Sequence, residues 1–198
     1  MRIDLHVHTA YSADGKISIK QLLKWFSKQT KLDGIAITDH DSIEGYRQLK
    51  KSGINNDDFL IIPGIEISYP QGHILVLDIT EEPSKLMMTI EEVIDFAKEQ
   101  GGLIIIAHPY RFNGLRDFAE NFPGDAIEIL NPTASKEENR SAKLLAQSRN
   151  LPGIAGSDAH RIEDIGRVFN KIQTSNKVED VTKAIKDGKV EINSGLFE

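Results

Sequence analysis

Short apolar runs alternate with amphipathic stretches along the 198 residues of the chain. Short apolar runs indicate buried strands, and an apolar period of 3.6 residues indicates helices. The predicted strands are residues 2–9, 34–38, 59–62, 73–77, 103–107, 126–130, 154–155 and 167–173. Predicted helices begin after the N-caps Ser18 and Ser42 and after a cap at Thr89 or its neighbours. The other predicted helices cover residues 115–120, 135–150 and 178–187. This order predicts one α/β domain, residues 1–198, with a parallel sheet and crossover helices.

Two architectures fit this strand–helix order. Seven or so strands, each followed by a helix, can close into a barrel, and polar residues at the strand ends then converge on one mouth. The alternative is an open doubly wound sheet, in which such residues spread along a line and meet mainly at a switch point.

The first predicted strand alternates apolar and polar residues. Side chains of a strand point alternately to its two faces, so residues 3, 5 and 7 are expected on one face and residues 4, 6 and 8 on the other. His6 and His8 then project to the same side and can reach one cation. A surface strand with a polar face is the alternative explanation for an isolated pair of this kind.

The distribution of histidine and acidic residues favours a metal site. All six histidines lie on or just past a predicted strand, namely His6, His8, His40, His73, His108 and His160. Asp14, Asp39, Glu66 and Asp158 occupy similar places. Without cysteine, such a cluster suits Zn, Mn or Fe. About ten donors exceed the needs of one ion, so two or three ions are expected, an arrangement typical of phosphate-ester hydrolysis.

Composition narrows the possible partners. The formal net charge of -6 and the sequence pI of about 5.6 argue against a non-specific binder of nucleic acid or anionic membranes, although a local basic patch stays possible. We found no apolar run long enough to cross a bilayer and no signal pattern, which predicts a cytoplasmic protein with no membrane partner. The sequence leaves the oligomeric state open.

The order of the motifs resembles the PHP (polymerase and histidinol phosphatase) family. The matching motifs, which run from residue 6 to residue 160, are His6-x-His8, Tyr11-Ser12-Ala13-Asp14-Gly15, Thr38-Asp39-His40-Asp41, Pro63-Gly64-Ile65-Glu66, His73, Ala107-His108-Pro109 and Gly156-Ser157-Asp158-Ala159-His160. The resemblance implies a distorted (β/α)7 barrel, similar to a TIM barrel, with a trinuclear metal centre at its C-terminal mouth. It also implies phosphoester hydrolysis.

The resemblance further implies three ligand sets. His6, His8, Glu66 and Asp158 would hold one ion. Glu66 would bridge to a second ion, which His73 and His108 complete. Asp14, His40 and His160 would hold the third.

Several further residues have expected roles. Similar phosphoesterases place an arginine where Arg111 lies, facing the substrate phosphate, and a guanidinium fork matches phosphate geometry. Arg161 is a second candidate. Asp158 and His160 are the candidates for the acid that protonates the leaving group. Asp39 is interpreted as an acid that orients an imidazole, against the alternative of an acid at a helix N-terminus. Glu128 and Asn131 were not assigned as ligands.

The substrate is expected to be a small phosphate monoester, such as a nucleotide or sugar phosphate, with a nucleic-acid polymer less favoured. Some similar phosphoesterases carry a helical insertion between the positions of His73 and His108, but only 34 residues separate them here. The mouth should therefore be open. Two alternatives remain: a metallohydrolase acting on amides or lactones, and a non-catalytic PHP module.

Overall fold

The computed structural model describes residues 1–28, 31–54 and 59–194. The remainder of the expected domain, residues 29–30, 55–58 and 195–198, lies outside the described residues. The nine strands of the described chain are β1 (Arg2–Val7), β2 (Gly34–Ile37), β3 (Leu60–Tyr69), β4 (Gly72–Leu77), β5 (Leu103–Ile106), β6 (Ala126–Leu130), β7 (Gly153–Ala155), β8 (Val168–Ile172) and β9 (Val190–Ser194). Strand β9 was not predicted, although Val190 and Ile192 alternate with polar residues in a pattern that suits a strand.

The helices lie close to their predicted positions. They are α1 (Ile19–Phe26), α2 (Glu44–Lys51), α3 (Ile90–Glu99), α4 (Lys136–Ser148) and α5 (Val178–Lys186), with 3-10 helices at Arg116–Glu120 and Ile162–Asp164. Ser18, Thr89 and Ser135 are N-caps with complete capping boxes, which confirms the predicted caps Ser18 and Thr89. Ser42 is not the cap of α2. The N-cap there is Ile43, and the Ser42 hydroxyl accepts from the amide of Glu44 at 3.1 Å. None of the described helices has the length and apolar character needed to cross a membrane.

The strands form one mixed sheet in the order β7-β6-β5-β4-β3-β2-β1-β8-β9. The expectation of a parallel sheet holds for β1–β2, β2–β3, β5–β6 and β6–β7. It is wrong for β3–β4, β4–β5, β1–β8 and β8–β9, which are antiparallel. Strands β3 and β4 pair this way because a tight turn joins them, and a connection so short cannot cross over to form a parallel pair.

The sheet closes almost completely, which confirms the predicted distorted barrel. At the mouth, the segment after β7 pairs with the end of β1. The amide of His8 donates to the carbonyl of Ala159 at 2.9 Å, and the amide of Ala159 donates to the carbonyl of His6 at 3.2 Å. Seven strands therefore surround the mouth, and β8 separates β1 from β7 at the opposite end.

The side chain of Asn170 on β8 joins the two sides of this opposite end. Its Oδ1 accepts from the amide of Ala155 at 2.8 Å, and its Nδ2 donates to the carbonyls of Ala155 and Ile3 at 2.6 and 3.2 Å. Asn170 is fully buried. The side chain of Asn170 thus links β8 to β7, between which no backbone pairing is present in the described chain.

Apolar layers fill the lower barrel, and polar residues lie above them. Residues of β3 and β4 in the interior cluster are Leu60, Ile62, Leu75 and Leu77. Glu66 and His73 have the same strand parity and therefore face the interior nearer the mouth. Val181 and Ile185 of α5 pack into the same apolar cluster. The site thus stands on a close-packed apolar base.

The expected alternation of β1 is interrupted by a change of register between Asp4 and Val7. Ile3 and Leu5 pack in the interior cluster, whereas Val7 packs in the cluster that contains residues of α1. The prediction that Asp4 shares a face with His6 is therefore wrong. The carboxylate of Asp4 accepts from Ser157 and Gly166, away from the imidazoles. A β-bulge of this kind re-aims side chains next to functional sites.

Removing the Asn170 side chain should destabilise the barrel. Asn170→Ala leaves the buried amide and carbonyl of Ala155 without their partner, which is expected to lower the free energy of unfolding by about 2–4 kcal/mol. Urea denaturation of the metal-free protein measures this change. Asn193→Ala on neighbouring β9 is the matched control, because the Asn193 side chain bonds only to the exposed Glu191 at 3.3 Å. Equal stability of the two variants would contradict this account of closure.

Candidate metal centre

The buried carboxylate of Glu66 lies at the centre of the mouth. Its side chain is 1% exposed, and its two oxygens lie within 3.4 Å of five imidazoles. Oε2 is 3.3, 3.1 and 3.4 Å from His6, His8 and His40 respectively. Oε1 is 3.0 and 3.1 Å from His73 and His108. One carboxylate therefore faces two groups of possible ligands.

The first group contains His6, His8, Glu66 and Asp158, as the ligand set implied. The Nε2 atoms of His6 and His8 lie 3.1 Å apart. Each also lies 3.1–3.5 Å from Glu66 Oε2 and Asp158 Oδ1. Bonds of about 2.0–2.2 Å in a tetrahedral site put neighbouring donors about 3.3 Å apart. The donor atoms thus have the spacing of a coordination shell.

The second group contains His8, Asp14, His40 and His160, whose donor atoms lie within 4.8 Å of one another. Asp14 Oδ2 lies 3.0 Å from His160 Nε2 and 3.7 Å from His40 Nε2. This group is the more open one, since the side chain of Asp14 is 56% exposed. The predicted residues are brought together, and His8 joins them.

The expected second ligand set, Glu66 with His73 and His108, is divided between two groups of donors in the structure. His73 groups with His40 and Glu66, whereas His108 also groups with His6 and Glu128. Both His73 and His108 still contact Glu66 Oε1. All nine predicted ligands therefore lie in one continuous cluster.

The nitrogens that face away from the cluster are held by specific partners. His6 Nδ1 lies 3.0 Å from Glu128 Oε1, and His8 Nδ1 lies 2.9 Å from Ser12 Oγ. His160 Nδ1 lies 2.8 Å from the carbonyl of Asp158. When these nitrogens carry the proton, each Nε2 presents its lone pair to the cluster. Such partners orient the histidine ligands of metal sites.

Glu128 is the main functional residue that sequence reasoning missed. It is fully buried, and its Oε2 accepts from the amide of His108 at 2.8 Å and from Asn131 Nδ2 at 3.0 Å. Gly156 makes room for it, because a Cβ there would lie 2.2 Å from Glu128 Oε1. The available signal was an acidic residue inside the apolar run 126–130.

Asp39 lies behind the donor cluster, and its hydrogen-bond partners are in the loop after β1. Its carboxylate accepts from the amide and the hydroxyl of Thr9 at 2.6 and 2.7 Å. It also has a hydrogen bond with Ser12, the residue that holds His8 Nδ1. Asp39 therefore fixes the loop after β1 and acts on His8 through Ser12.

The electrostatics of the cluster favour binding of a cation. Burial disfavours a charge on His8, but hydrogen bonds to Asp158 and Glu66 outweigh it and raise its pKa to about 9. Burial also opposes ionisation of Glu66, yet His6 and the hydrogen bonds from neighbouring histidines hold its pKa well below the usual value. Protons thus balance the carboxylates in the absence of other cations. A divalent ion that binds here would displace them.

Three of the seven non-glycine residues that have a positive φ in the described chain lie at the mouth. Asp41, His108 and Asp158 have φ values of 52°, 22° and 52°. Non-glycine residues in this region persist only where the surroundings enforce the conformation, and they cluster at functional sites. Two of the three residues are proposed ligands, so the fold holds these side chains at a conformational cost.

Arg111 reaches the cluster from the loop after β5. Its Nη1 donates to Asp158 Oδ2 at 2.6 Å, while Thr133 Oγ1 approaches the same oxygen at 3.1 Å. Within the described chain, no partner binds the Nε and Nη2 groups of Arg111. Arg161 is exposed and precedes the 3-10 helix Ile162–Asp164, so the structure favours Arg111 as the residue facing the site.

The donor set fits divalent metal ions. Among the described residues, His40 Nδ1 and His108 Nδ1 are buried without a hydrogen-bond partner. Buried polar atoms are rarely left unpaired unless an ion or water completes them. Imidazoles and carboxylates at coordination spacing, together with such atoms, suit Zn, Mn or Fe.

Sequence comparisons place the chain among known proteins. A family profile described as PHP domain matches residues 4–98, and one described as PHP-associated matches residues 136–190. MJ1587, an uncharacterized protein of Methanocaldococcus jannaschii, is 35% identical over 143 residues, which is 66% of this chain and 82% of that protein. The chain belongs to the PHP family.

Solved structures agree with the PHP fold. A two-domain protein from Bacteroides vulgatus, described as containing a predicted PHP-like metal-dependent phosphoesterase, superposes with a TM-score of 0.81 at 16% identity. The match covers 98% of this chain and 65% of that one. Endonuclease Q, solved with a duplex containing an abasic lesion, has a TM-score of 0.71 at 21% identity, covering 94% of this chain and 56% of its own. At these identities the likeness concerns the fold.

Removing the charge of Glu128 should weaken metal binding. Glu128→Gln keeps the size of the side chain but removes the carboxylate that accepts the His6 Nδ1 proton. Loss of such a partner is expected to lower the affinity for metal ions by roughly 10–100-fold. Isothermal titration calorimetry with Mn²⁺ measures the affinity of each variant for the ion. Glu137→Gln on the exposed face of α4 is the control. Identical affinities of the two variants would show that Glu128 does not support the site.

Proposed function

We propose that the protein is a metal-dependent phosphoesterase that hydrolyses a small phosphate monoester, such as a nucleotide or sugar phosphate. The observation that supports this most directly is the position of Arg111, whose guanidinium borders the donor cluster through Asp158 at 2.6 Å. A planar guanidinium next to a cluster of metal-ligating side chains suits a substrate that carries several anionic oxygens, such as a phosphate ester. An amide or lactone would not need this arginine.

The proposed ligands are nine residues of the donor cluster around Glu66. They are His6, His8, Asp14, His40, Glu66, His73, His108, Asp158 and His160, which would hold two or three ions of Zn, Mn or Fe. Bound ions supply Lewis-acid chemistry, which generates a nucleophile from water near neutral pH and neutralises phosphate charge.

The chain's own residues would orient the substrate. Arg111 binds the phosphate with its Nε and Nη2 donors while Asp158 holds Nη1 in place. The Thr133 hydroxyl lies 3.1 Å from the same carboxylate oxygen and 2.6 Å from Asn131 Oδ1, so these two acceptors compete for its one proton. Phosphate binding therefore needs no large movement of Arg111, so little conformational entropy is lost at that step.

Asp158 and His160 are the candidates for the leaving-group acid, and both are also proposed metal ligands. Burial raises the pKa of Asp158, but His6 and the hydrogen bond from His8 outweigh it and hold that pKa well below its usual value. Asp158 is then ionised and acts as an acceptor. His160 would donate a proton only while its Nε2 is not bound to an ion, because the carbonyl of Asp158 holds the proton of its Nδ1 at 2.8 Å.

Phosphodiester cleavage is the second candidate. The likeness to Endonuclease Q favours it, because that protein was solved with a DNA duplex. The short connection between β4 and β5 contains helix α3 and leaves no capping subdomain among the described residues. An open mouth of this kind admits either class of ester.

An activity panel tests these proposals. The Mn²⁺-loaded protein is assayed with p-nitrophenyl phosphate, bis-p-nitrophenyl phosphate and p-nitrophenyl acetate. We expect the highest kcat/KM for the monoester. Preference for the diester would favour the nuclease alternative, and preference for acetate would favour a non-phosphate hydrolase. No turnover of any compound would support a non-catalytic module.

Substitution of Arg111 separates phosphate binding from general damage. Arg111→Ala should lower kcat/KM for p-nitrophenyl phosphate by about a hundredfold or more, since a charged donor to the phosphate is lost. Arg111→Lys should recover only part of the loss, because an ammonium lacks the planar fork. Arg140→Ala, on the exposed side of α4, is the control and should match the wild type. Wild-type activity in Arg111→Ala would remove Arg111 from the mechanism.

A further inference from the structure

Phe112 is a large apolar side chain exposed at the mouth. It follows Arg111 directly and is 79% exposed. Single exposed apolar residues are common on protein surfaces, so exposure alone assigns no role. Its neighbours and the rigidity of its loop distinguish this residue.

The loop presents Phe112 in a defined orientation. The amide of Gly114 donates to the carbonyl of Arg111 at 2.9 Å, which makes Phe112 and Asn113 the two corner residues of a tight turn. The amide of Arg111 donates to the carbonyl of His108 at 3.0 Å. The two corner side chains diverge: Asn113 Nδ2 lies 3.3 Å from His73 Nδ1, while Phe112 projects into solvent.

Close backbone packing keeps this turn in place. A Cβ on Gly114 would lie 2.3 Å from the carbonyl oxygen of His108. A Cβ on Gly72, the first residue of β4, would lie 2.5 Å from the carbonyl carbon of Gly114. The loop and the start of β4 therefore touch through their glycines. Phe112 is held outward by the construction of the loop, and little ordering would be needed when a ligand meets it.

The distance between Arg111 and Phe112 suits a two-part ligand. The guanidinium of Arg111 lies over one face of the Phe112 ring, with its carbon 5.7 Å from the ring centre, so a ligand ring would stack on the opposite face. A group bound to the guanidinium and a flat ring stacked on Phe112 would therefore be neighbours joined by a short linker. In a nucleoside monophosphate, one pentose joins a phosphate to an aromatic base.

We propose that Phe112 is a stacking platform for the base of a nucleoside monophosphate whose phosphate binds Arg111, which makes Phe112 a specificity-determining residue. This inference rests on the proposed phosphoesterase function and narrows its substrate class to nucleotides over sugar phosphates. Aromatic side chains bind bases through their faces with little preference among the four bases. The absence of a capping subdomain in the described chain leaves the exposed ring as the apolar surface next to the phosphate-binding arginine.

The kinetic test compares AMP with ribose 5-phosphate, which lacks the base. The wild-type protein loaded with Mn²⁺ should have the higher kcat/KM for AMP. Phe112→Ala should reduce the ratio of the two kcat/KM values by roughly tenfold or more, since stacking is lost. Phe112→Tyr should retain the ratio. Phe118→Ala is the matched control, because Phe118 is 54% exposed on the 3-10 helix that follows the loop.

A binding measurement separates this inference from the proposed function. Calorimetry with adenosine, in the presence of inorganic phosphate, detects base stacking without turnover. The wild type and Phe118→Ala should bind adenosine more tightly than ribose, and Phe112→Ala should lose roughly tenfold or more in adenosine affinity. Adenosine binding without hydrolysis of any phosphate ester would contradict the proposed function and leave the stacking site intact. Equal binding by Phe112→Ala and wild type, or an equal loss of both substrates' kcat/KM, would overturn the inference.

Discussion

The contact of one buried carboxylate with five imidazoles governs the organisation of this protein. Glu66 reaches residues from the loops after β1, β2 and β5 and from β1 and β4 themselves. A carboxylate oxygen and an unprotonated imidazole nitrogen that lie about 3 Å apart repel each other through their lone pairs unless a proton or a metal ion lies between them. The cluster therefore needs cations, and every strand that supplies a donor is tied to the same centre.

The fold holds this cluster by separating apolar packing from polar chemistry along each strand. The lower residues of β3 and β4 form a dry core, and the same faces carry Glu66 and His73 nearer the mouth. Asn170 joins the barrel at the far end, and the bridge between Val7 and Ala159 joins it at the mouth. Packed supports of this kind keep donor atoms at coordination spacing, which is the main requirement of a preorganised site.

The strand and helix pattern left a barrel and an open sheet as alternatives, and the resemblance of the motif order to the PHP family implied the barrel. The sequence placed the histidines at strand ends because strand periodicity is a local property. It did not predict the register change in β1, which moves Asp4 away from His6, because pairing between strands decides register. Glu128 was not predicted as a partner of His6 since the two residues lie 122 positions apart in the chain. Strand β9 was missed although Val190 and Ile192 alternate with polar residues as in a strand, and its pairing with β8 is antiparallel.

Metal content measured by elemental analysis tests the central claim most directly. Wild-type protein purified without chelator is compared with Glu66→Gln and with Glu99→Gln, a control on the exposed surface of α3. The account predicts two or three divalent ions per chain in the wild type and the control, and at most one in Glu66→Gln, held by the group that does not use this carboxylate, namely His8, Asp14, His40 and His160. A metal-free wild type after supplementation with Mn²⁺ and Zn²⁺, or an unchanged content in Glu66→Gln, would contradict it.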